Sequence, residues 1–289
     1  MKETRIVSFN LGASRIEVAE RLLEKLALLD AARLTRTGIM AGMCSVSLPS
    51  GDSRVPALIR ELESLGEVPL VRAQRSYTER DLDAFEWLVL RIATVRLLGS
   101  VNLEQAYDRT HACATCGAGA LPVPPLLADL RAMGRKALDA TAHDDQMVVT
   151  RELADSILEA GLSGAEFLDV SPGPGRIPSD RFRWLHIAGS WPPLSSFSVV
   201  VTDDLCSTCG RAGHYDAEDR ITELRYDRYP QKAPDFNRTW EHFGVWRLPR
   251  QSSQLPVGGG RVTIVSQRVR RLFRESKVRN ISFEPVVVC

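Results

Sequence analysis

Two copies of the motif Cys-x-x-Cys-Gly constrain this chain more than any other feature of its sequence. The first, "CATCG", begins at Cys113, and the second, "CSTCG", begins at Cys206. A Cys-x-x-Cys turn places two thiolates on one side of a tetrahedral ion. The glycine that follows permits the positive φ that such turns often need. We call Cys113–Gly117 the first knuckle and Cys206–Gly210 the second knuckle.

Each knuckle supplies two ligands, whereas a closed structural zinc site needs four. The long stretch between the knuckles is no obstacle, because closing a longer loop adds only a modest entropic cost. The sequence therefore predicts one structural Zn²⁺ whose ligands are Cys113, Cys116, Cys206 and Cys209. Such a site has no open position for water or substrate, so its binding energy stabilises the fold.

Three other interpretations of the knuckles stay open at this point. Thiol–disulfide catalysis needs a helix after the first cysteine, and the prolines of "LPVPP" disfavour one after the first knuckle. Two separate metal sites would need further ligands such as His111 and His214. An iron–sulfur cluster fits the cysteine spacings loosely. The remaining cysteines, Cys44 and Cys289, are expected to be a buried apolar side chain and a terminal side chain without a ligand role.

Composition narrows the possible partners and the compartment. The formal net charge of +1 gives no overall attraction to nucleic acid or to an anionic membrane. Neither a signal-peptide pattern nor an apolar run of membrane-spanning length is present. We therefore expect a cytoplasmic protein, in which reduced cysteine pairs more often bind metal than form structural disulfides.

The pattern of apolar residues predicts an α+β protein with two domains. Residues 1–107 are expected to form a small α/β sandwich-like domain, with helices from Ser14 and from about Asp52 between short strands. The segment 78–92 begins as a helix, and its second half can be helix or strand. Residues 108–289 are expected to form a zinc-ribbon-like domain.

That second domain contains a faint internal repeat. Residues 148–170 align without a gap on residues 264–286, so that Thr150 matches Ser266 and Leu153 matches Val269. In both copies a hydroxyl residue precedes a helix with one apolar face, and a strand follows. The alignment predicts two strand-helix-strand units, each downstream of one knuckle.

The last predicted helix is rich in arginine. Placing Val269, Leu272 and Phe273 toward the core leaves the arginines on the exposed side. These arginines, with the tryptophan of the segment "RTWEHF", are candidates for a partner-binding surface, since Trp and Arg are favoured interface anchors. The candidate residues are Arg268, Arg270, Arg271, Arg274 and Trp240.

The sequence provides no recognisable catalytic motif, neither a phosphate-binding loop nor a Gly-x-Ser-x-Gly elbow. From Tyr107 to the end, however, the chain resembles the double-CXXCG motif proteins, a paralogous group of myxobacterial proteins. The resemblance rests on "CATCG", "CSTCGR", the long insert between them and the closing segment "TIVSQRVRRLFRESKVRNISFEPV". It implies an intracellular zinc-binding protein with the four knuckle cysteines as ligands. Members include immunity proteins that are paired with polymorphic lipoprotein toxins.

The function predicted first is therefore that of an immunity-type protein that binds and neutralises a cognate toxin. Two alternatives belong to other classes. One is a zinc-ribbon regulator associated with nucleic acid, although the near-neutral charge disfavours it. The other is an enzyme whose site lies in the N-terminal domain.

Overall fold

The computed structural model describes residues 1–38, 41–92, 105–141, 146–217, 220–228, 230, 232–244 and 260–289. Helices and mainly antiparallel sheets are mixed along the chain, which confirms the α+β class. The chain divides into two compact units. We call residues 1–78 with 217–222 the N-terminal unit, and residues 79–216 with 223–289 the C-terminal unit.

The N-terminal unit is a four-stranded antiparallel sheet with two helices. Its elements are β1 (Lys2–Asn10), α1 (Ile16–Lys25), β2 (Ala32–Leu34), β3 (Met43–Pro49), α2 (Arg54–Ser64) and β4 (Leu70–Ser76). The strand order is β2-β3-β1-β4, which with the βαββαβ sequence of elements gives a ferredoxin-like topology. Both helices bury an apolar face in the same core as β1 and β3.

Two local features of this unit differ from the sequence analysis. Helix α1 begins after a single 3-10 turn at Ala13–Arg15, and its N-cap is Arg15 without a side-chain cap rather than Ser14. Strand β2 was not anticipated. It is only three residues long, and it is defined by its pairing with β3, where Leu34 lies opposite Cys44.

In its described residues, the C-terminal unit contains three α-helices and many short strands. Its helices are α3 (Glu79–Asp83), α4 (Arg151–Glu159) and α5 (Gln267–Glu275). Its strands are β5 (Trp87–Ile92), β6 (Tyr107–Asp108), β7 (Leu121–Pro122), β8 (Leu126–Leu127), β9 (Leu138–Ala140), β10 (Met147–Thr150), β11 (Glu166–Leu168), β12 (Val170–Ser171), β13 (Phe182–His186), β14 (Val200–Val201), β15 (Ala212–Asp216), β16 (Arg225–Tyr226), β17 (Phe236–Arg238), β18 (His242–Phe243), β19 (Thr263–Ser266), β20 (Ile281–Pro285) and β21 (Val287–Val288). Among the described residues, no helix is both long and apolar enough to cross a membrane.

Two four-stranded antiparallel sheets of this unit have the same arrangement. One has the order β11-β13-β10-β9, and the other has the order β20-β5-β19-β17. In each sheet a strand leads into a helix and then into a strand at the edge, as the sequence repeat predicted. Thr150 and Ser266 both cap their helices, because their hydroxyls accept from the backbone N–H of Leu153 and of Val269, respectively. The predicted strand-helix-strand units are confirmed.

Strand β5 explains why the division between the units differs from the sequence-based boundary near residue 107. It lies inside the second sheet, where Leu88 pairs with Val265 and Leu90 pairs with Phe283. In the first sheet the corresponding place belongs to β13, which follows the helix in the chain. The second sheet is therefore completed by a strand from far upstream, and the compact units divide at Thr78 and Glu79.

Candidate metal centre

The two knuckles meet in the C-terminal unit. The sulfur atoms of Cys113, Cys116, Cys206 and Cys209 all lie within 4.8 Å of one another. The closest contacts run between the knuckles, with Cys113 Sγ 3.9 Å from Cys206 Sγ and Cys116 Sγ 3.6 Å from Cys209 Sγ. Four sulfurs at these separations surround one point, so the cluster can hold a metal ion.

Each knuckle is closed by the same backbone hydrogen bond. Gly117 N–H donates to Cys113 O, and Gly210 N–H donates to Cys206 O, both at 2.8 Å. The two glycines have φ of 74° and 66°, the left-handed conformation that a side chain disfavours. The role expected for the glycine of the motif is therefore confirmed at both positions.

The knuckles also pair through matching threonines. Thr115 Oγ1 and Thr208 Oγ1 are 2.7 Å apart and form a hydrogen bond across the centre. Each threonine stands between the two cysteines of its own knuckle. Equivalent atoms of the two knuckles thus contact one another, which gives the centre an approximate two-fold symmetry.

Backbone N–H groups favour the thiolate form of the first cysteine in each knuckle. Burial raises the pKa of Cys113, but hydrogen bonds from the backbone of Cys116 and Thr115 outweigh it and lower that pKa to about 6. The pKa of Cys206 is lowered as well, chiefly by the backbone N–H of Cys209. Thiolates are the form of cysteine that binds metal, so these hydrogen bonds favour the metal-binding form at Cys113 and Cys206, whereas burial raises the pKa of Cys116.

The alternatives of separate sites and of redox catalysis are not supported. All four sulfurs form one group, whereas His214 is buried with its Nδ1 3.2 Å from Arg211 O. His111 is exposed beside the first knuckle. No described helix follows either knuckle directly, since the chain continues into β7 and β15, respectively. A helix N-terminus that could activate a catalytic thiolate is therefore missing from the described parts of both turns.

The other two cysteines lie where the sequence suggested. Cys44 is fully buried in the core of the N-terminal unit, and burial raises the pKa of its thiol to about 11. Cys289 is exposed. Neither belongs to the four-sulfur cluster.

The prediction that the arginines of helix α5 lie on its exposed side is wrong for one residue. Arg270 is 2% exposed, next to the buried Val269 and Phe273. Its guanidinium donates to Asp83 at 2.6 Å and forms an ion pair with Glu79, both on α3. The expectation that Arg270 lies on the exposed side was therefore wrong, because its long side chain runs through the core to acidic partners on another helix.

The other predicted surface residues have mixed positions. Arg271 is exposed. Arg268 and Arg274 are half exposed, and they form ion pairs with Asp235 and Glu79, respectively. Trp240 is partly buried under the guanidinium of Arg211, which lies 5.5 Å from its ring centre. Their role in binding a partner stays a prediction.

Comparison with known proteins adds no assignment. No protein-family model matches the chain. No curated protein sequence matches it either. The resemblance of the knuckles to the double-CXXCG motif proteins therefore rests on the motifs alone. The structure shows a four-cysteine centre that is able to hold a metal ion.

Proposed function

We propose that the four cysteines bind one structural zinc ion. A Zn–S bond of about 2.3 Å implies sulfur–sulfur distances of about 3.8 Å in a regular tetrahedron. The two closest pairs, at 3.9 and 3.6 Å, agree with that value. Thiolates suit zinc and other soft ions, and four of them leave no coordination position for a substrate. The ion would link residues that are far apart in the sequence and so stabilise the C-terminal unit.

We further propose that the protein acts by binding, as an immunity-type protein that neutralises a cognate toxin. The observation that carries this proposal is the joining of two distant Cys-x-x-Cys-Gly knuckles into one closed centre. That pair of knuckles is the specific part of the resemblance to the double-CXXCG motif proteins. A closed centre suits a scaffold that presents a surface, because it offers no reactive position of its own.

Helix α5 supplies the surface that we propose for the partner. Arg271 is exposed, and the side chains of Arg268 and Arg274 are each 56% exposed. Arg270 is excluded from this surface because it is buried. Arginine favours interfaces since its planar guanidinium binds carboxylates in pairs of hydrogen bonds. An acidic patch on the toxin is the complementary partner.

Co-expression with the product of the adjacent gene in a heterologous host tests this function. We expect the wild type to rescue the host from toxicity and Arg271→Glu to weaken the rescue, because charge reversal repels an acidic partner. Arg271 is the better choice for reversal than Arg270, since reversing a buried charge would disturb folding. The readouts are host survival and the affinity of the purified pair.

The matched control is Arg60→Glu, an exposed arginine on α2 of the N-terminal unit. It should leave rescue and affinity unchanged. Rescue by both variants would retain the immunity role and reject the α5 surface. If the neighbour is not toxic and no protein partner is captured, the immunity role is wrong, and the N-terminal domain becomes the place to search for an enzymatic activity.

The nucleic-acid alternative has its own test. Arg268, Arg270 and Arg274 form ion pairs with Asp235, Glu79 or Asp83, so α5 does not offer the series of uncompensated charges that a phosphate backbone needs, whereas one acidic patch on a protein can be met by Arg271. We therefore expect no complex with DNA or RNA at physiological salt in a filter-binding titration. A tight complex whose affinity falls steeply with salt would contradict this, because such a slope reports released counterions.

A further inference from the structure

A small cavity lies beside the second knuckle within the C-terminal unit. Its volume is about 200 Å³. Three arginines and three histidines from separate segments of the chain line it. These residues are Arg211, Arg238, Arg261, His111, His186 and His242. Leu121 and Pro122 of β7 contribute apolar surface. Among the described residues that line the cavity, none is a carboxylate.

Two of the guanidiniums are held in place by neutral groups. Arg211 Nε donates to Trp240 O at 3.3 Å, and its Nη2 lies 3.4 Å from His242 Nε2. Arg261 Nε donates to Thr239 O at 2.6 Å. Carbonyl oxygens fix the orientation of these side chains without neutralising them, so the charges remain available to a ligand.

The nearest buried acid compensates these charges only in part. Glu241 is 2% exposed, and burial raises its pKa, whereas the positive charges of Arg261 and Arg211 act in the opposite direction. One of its oxygens accepts from the backbone N–H of Leu194 at 2.7 Å. Glu241 therefore offsets part of the positive charge around Arg261, and the carboxylate of Glu166 acts in the same sense on His186.

The remaining positive charge is visible in the properties of Arg261. Burial, followed by the charges of Arg238 and Arg211, lowers its pKa to about 10, although Glu241 acts in the opposite direction. Its Nη2 is buried and has no hydrogen-bond partner in the described parts of the chain. Burial, followed by the charge of Arg238, also lowers the pKa of His186, although the carboxylate of Glu166 acts in the opposite direction. Arg261 thus has a donor without an acceptor among the described residues, and it is repelled by two neighbouring guanidiniums.

We propose that this cavity binds a small oxyanion of the phosphate type, either inorganic phosphate or the terminal phosphate of a small monoester. Phosphate oxygens accept from guanidinium groups in charge-assisted pairs, and they would neutralise positive charge around Arg261. Sites for drug-sized ligands have volumes of about 300–1,000 Å³, so this smaller cavity suits a compact anion rather than a nucleotide. The imidazoles supply further hydrogen-bond groups.

Calorimetric titration of the purified, metal-loaded full chain with inorganic phosphate at low salt tests the proposal. We expect saturable binding of one phosphate per chain. Leu121→Glu should weaken it by about tenfold or more, because a carboxylate at the cavity repels the anion. Leu121 is 45% exposed, so this change spares the core. Leu121→Gln has a similar shape without the charge and should bind like the wild type.

A second pair of variants tests the arginines themselves. Arg261→Gln should weaken phosphate binding by about tenfold or more, whereas Arg271→Gln removes the same charge from the exposed face of α5 and should have no effect. Parallel titration with glycerol 3-phosphate distinguishes the two sources, since tighter binding of the ester favours a monoester ligand. Absence of saturable binding at millimolar phosphate, or equal affinity in Leu121→Glu and Leu121→Gln, would overturn the proposal.

Discussion

Replacing Cys209 by serine is expected to release the metal from the purified protein and to destabilise the C-terminal unit on the order of 5 kcal/mol or more. Cys209 Sγ lies 3.6 Å from Cys116 Sγ, so its loss opens a site that joins two distant turns. Elemental analysis should fall from about one zinc per chain to nearly none. Thermal and urea unfolding measure the accompanying loss of stability.

Cys289→Ser is the matched control for this experiment. It is the same substitution at an exposed cysteine outside the cluster. Metal content and unfolding should stay as in the wild type. A Cys209→Ser protein that retains its zinc, or that unfolds like the wild type, would show that the four-cysteine centre is not a structural zinc site.

Replacing Asp235 by alanine is expected to cost about 3–5 kcal/mol of unfolding free energy. Asp235 is 6% exposed and links the two strand-helix-strand units. Its carboxylate accepts from Ser163 N–H and Ser163 Oγ at 2.9 and 3.0 Å, just beyond α4. It also accepts from the Ser266 hydroxyl at the N-cap of α5 at 2.6 Å and from Arg268 Nη1 at 3.0 Å. Truncation would leave these donors without their shared acceptor.

Urea unfolding of Asp235→Ala beside Asp155→Ala measures this effect. Asp155 is exposed on α4, so its truncation should change stability by less than about 0.5 kcal/mol. Similar small losses in both variants would show that the Asp235 network does not connect the units as described.

The carboxylate of Asp235 is also expected to make the free energy of unfolding depend on pH. Burial raises the pKa of Asp235, but the hydrogen bonds from Ser266 and Ser163 and the charge of Arg268 outweigh it and hold that pKa below its ordinary value. Its contribution to stability is therefore present above the unfolded-state pKa of about 3.9 and is lost as the pH falls through the lower pKa of the folded state. Unfolding at a series of acidic pH values should show a shallower decline for Asp235→Asn than for the wild type. Parallel curves would contradict this assignment.

Local sequence determined the features whose geometry depends on a few neighbouring residues. The knuckles follow from two cysteines and a glycine at fixed spacing, because that spacing sets the turn and the positive φ of Gly117 and Gly210. The capped helices α4 and α5 follow from Thr150 and Ser266 placed before an apolar face. The repeat was visible for the same reason.

Tertiary structure decided the features that depend on partners far away in the chain. The segment of β5 was ambiguous between helix and strand, and its pairing with both β19 and β20 fixed it as a strand inside a sheet. Arg270 belongs to a helix face that looked exposed, yet it lies in the core because α3 supplies Asp83 and Glu79.

The cavity beside the second knuckle is the clearest example of a feature that only the tertiary structure decided. Arg211, Arg238 and Arg261 lie on different segments, and no spacing in the sequence relates them. Hydrogen-bonded strands and buried side chains bring them together only once the sheets have formed. Local propensities act over a turn or two of chain, whereas the position of a charge relative to another is set by the packing of whole elements. For this reason the sequence alone could locate the four cysteines able to hold a metal ion but not the proposed anion site beside them.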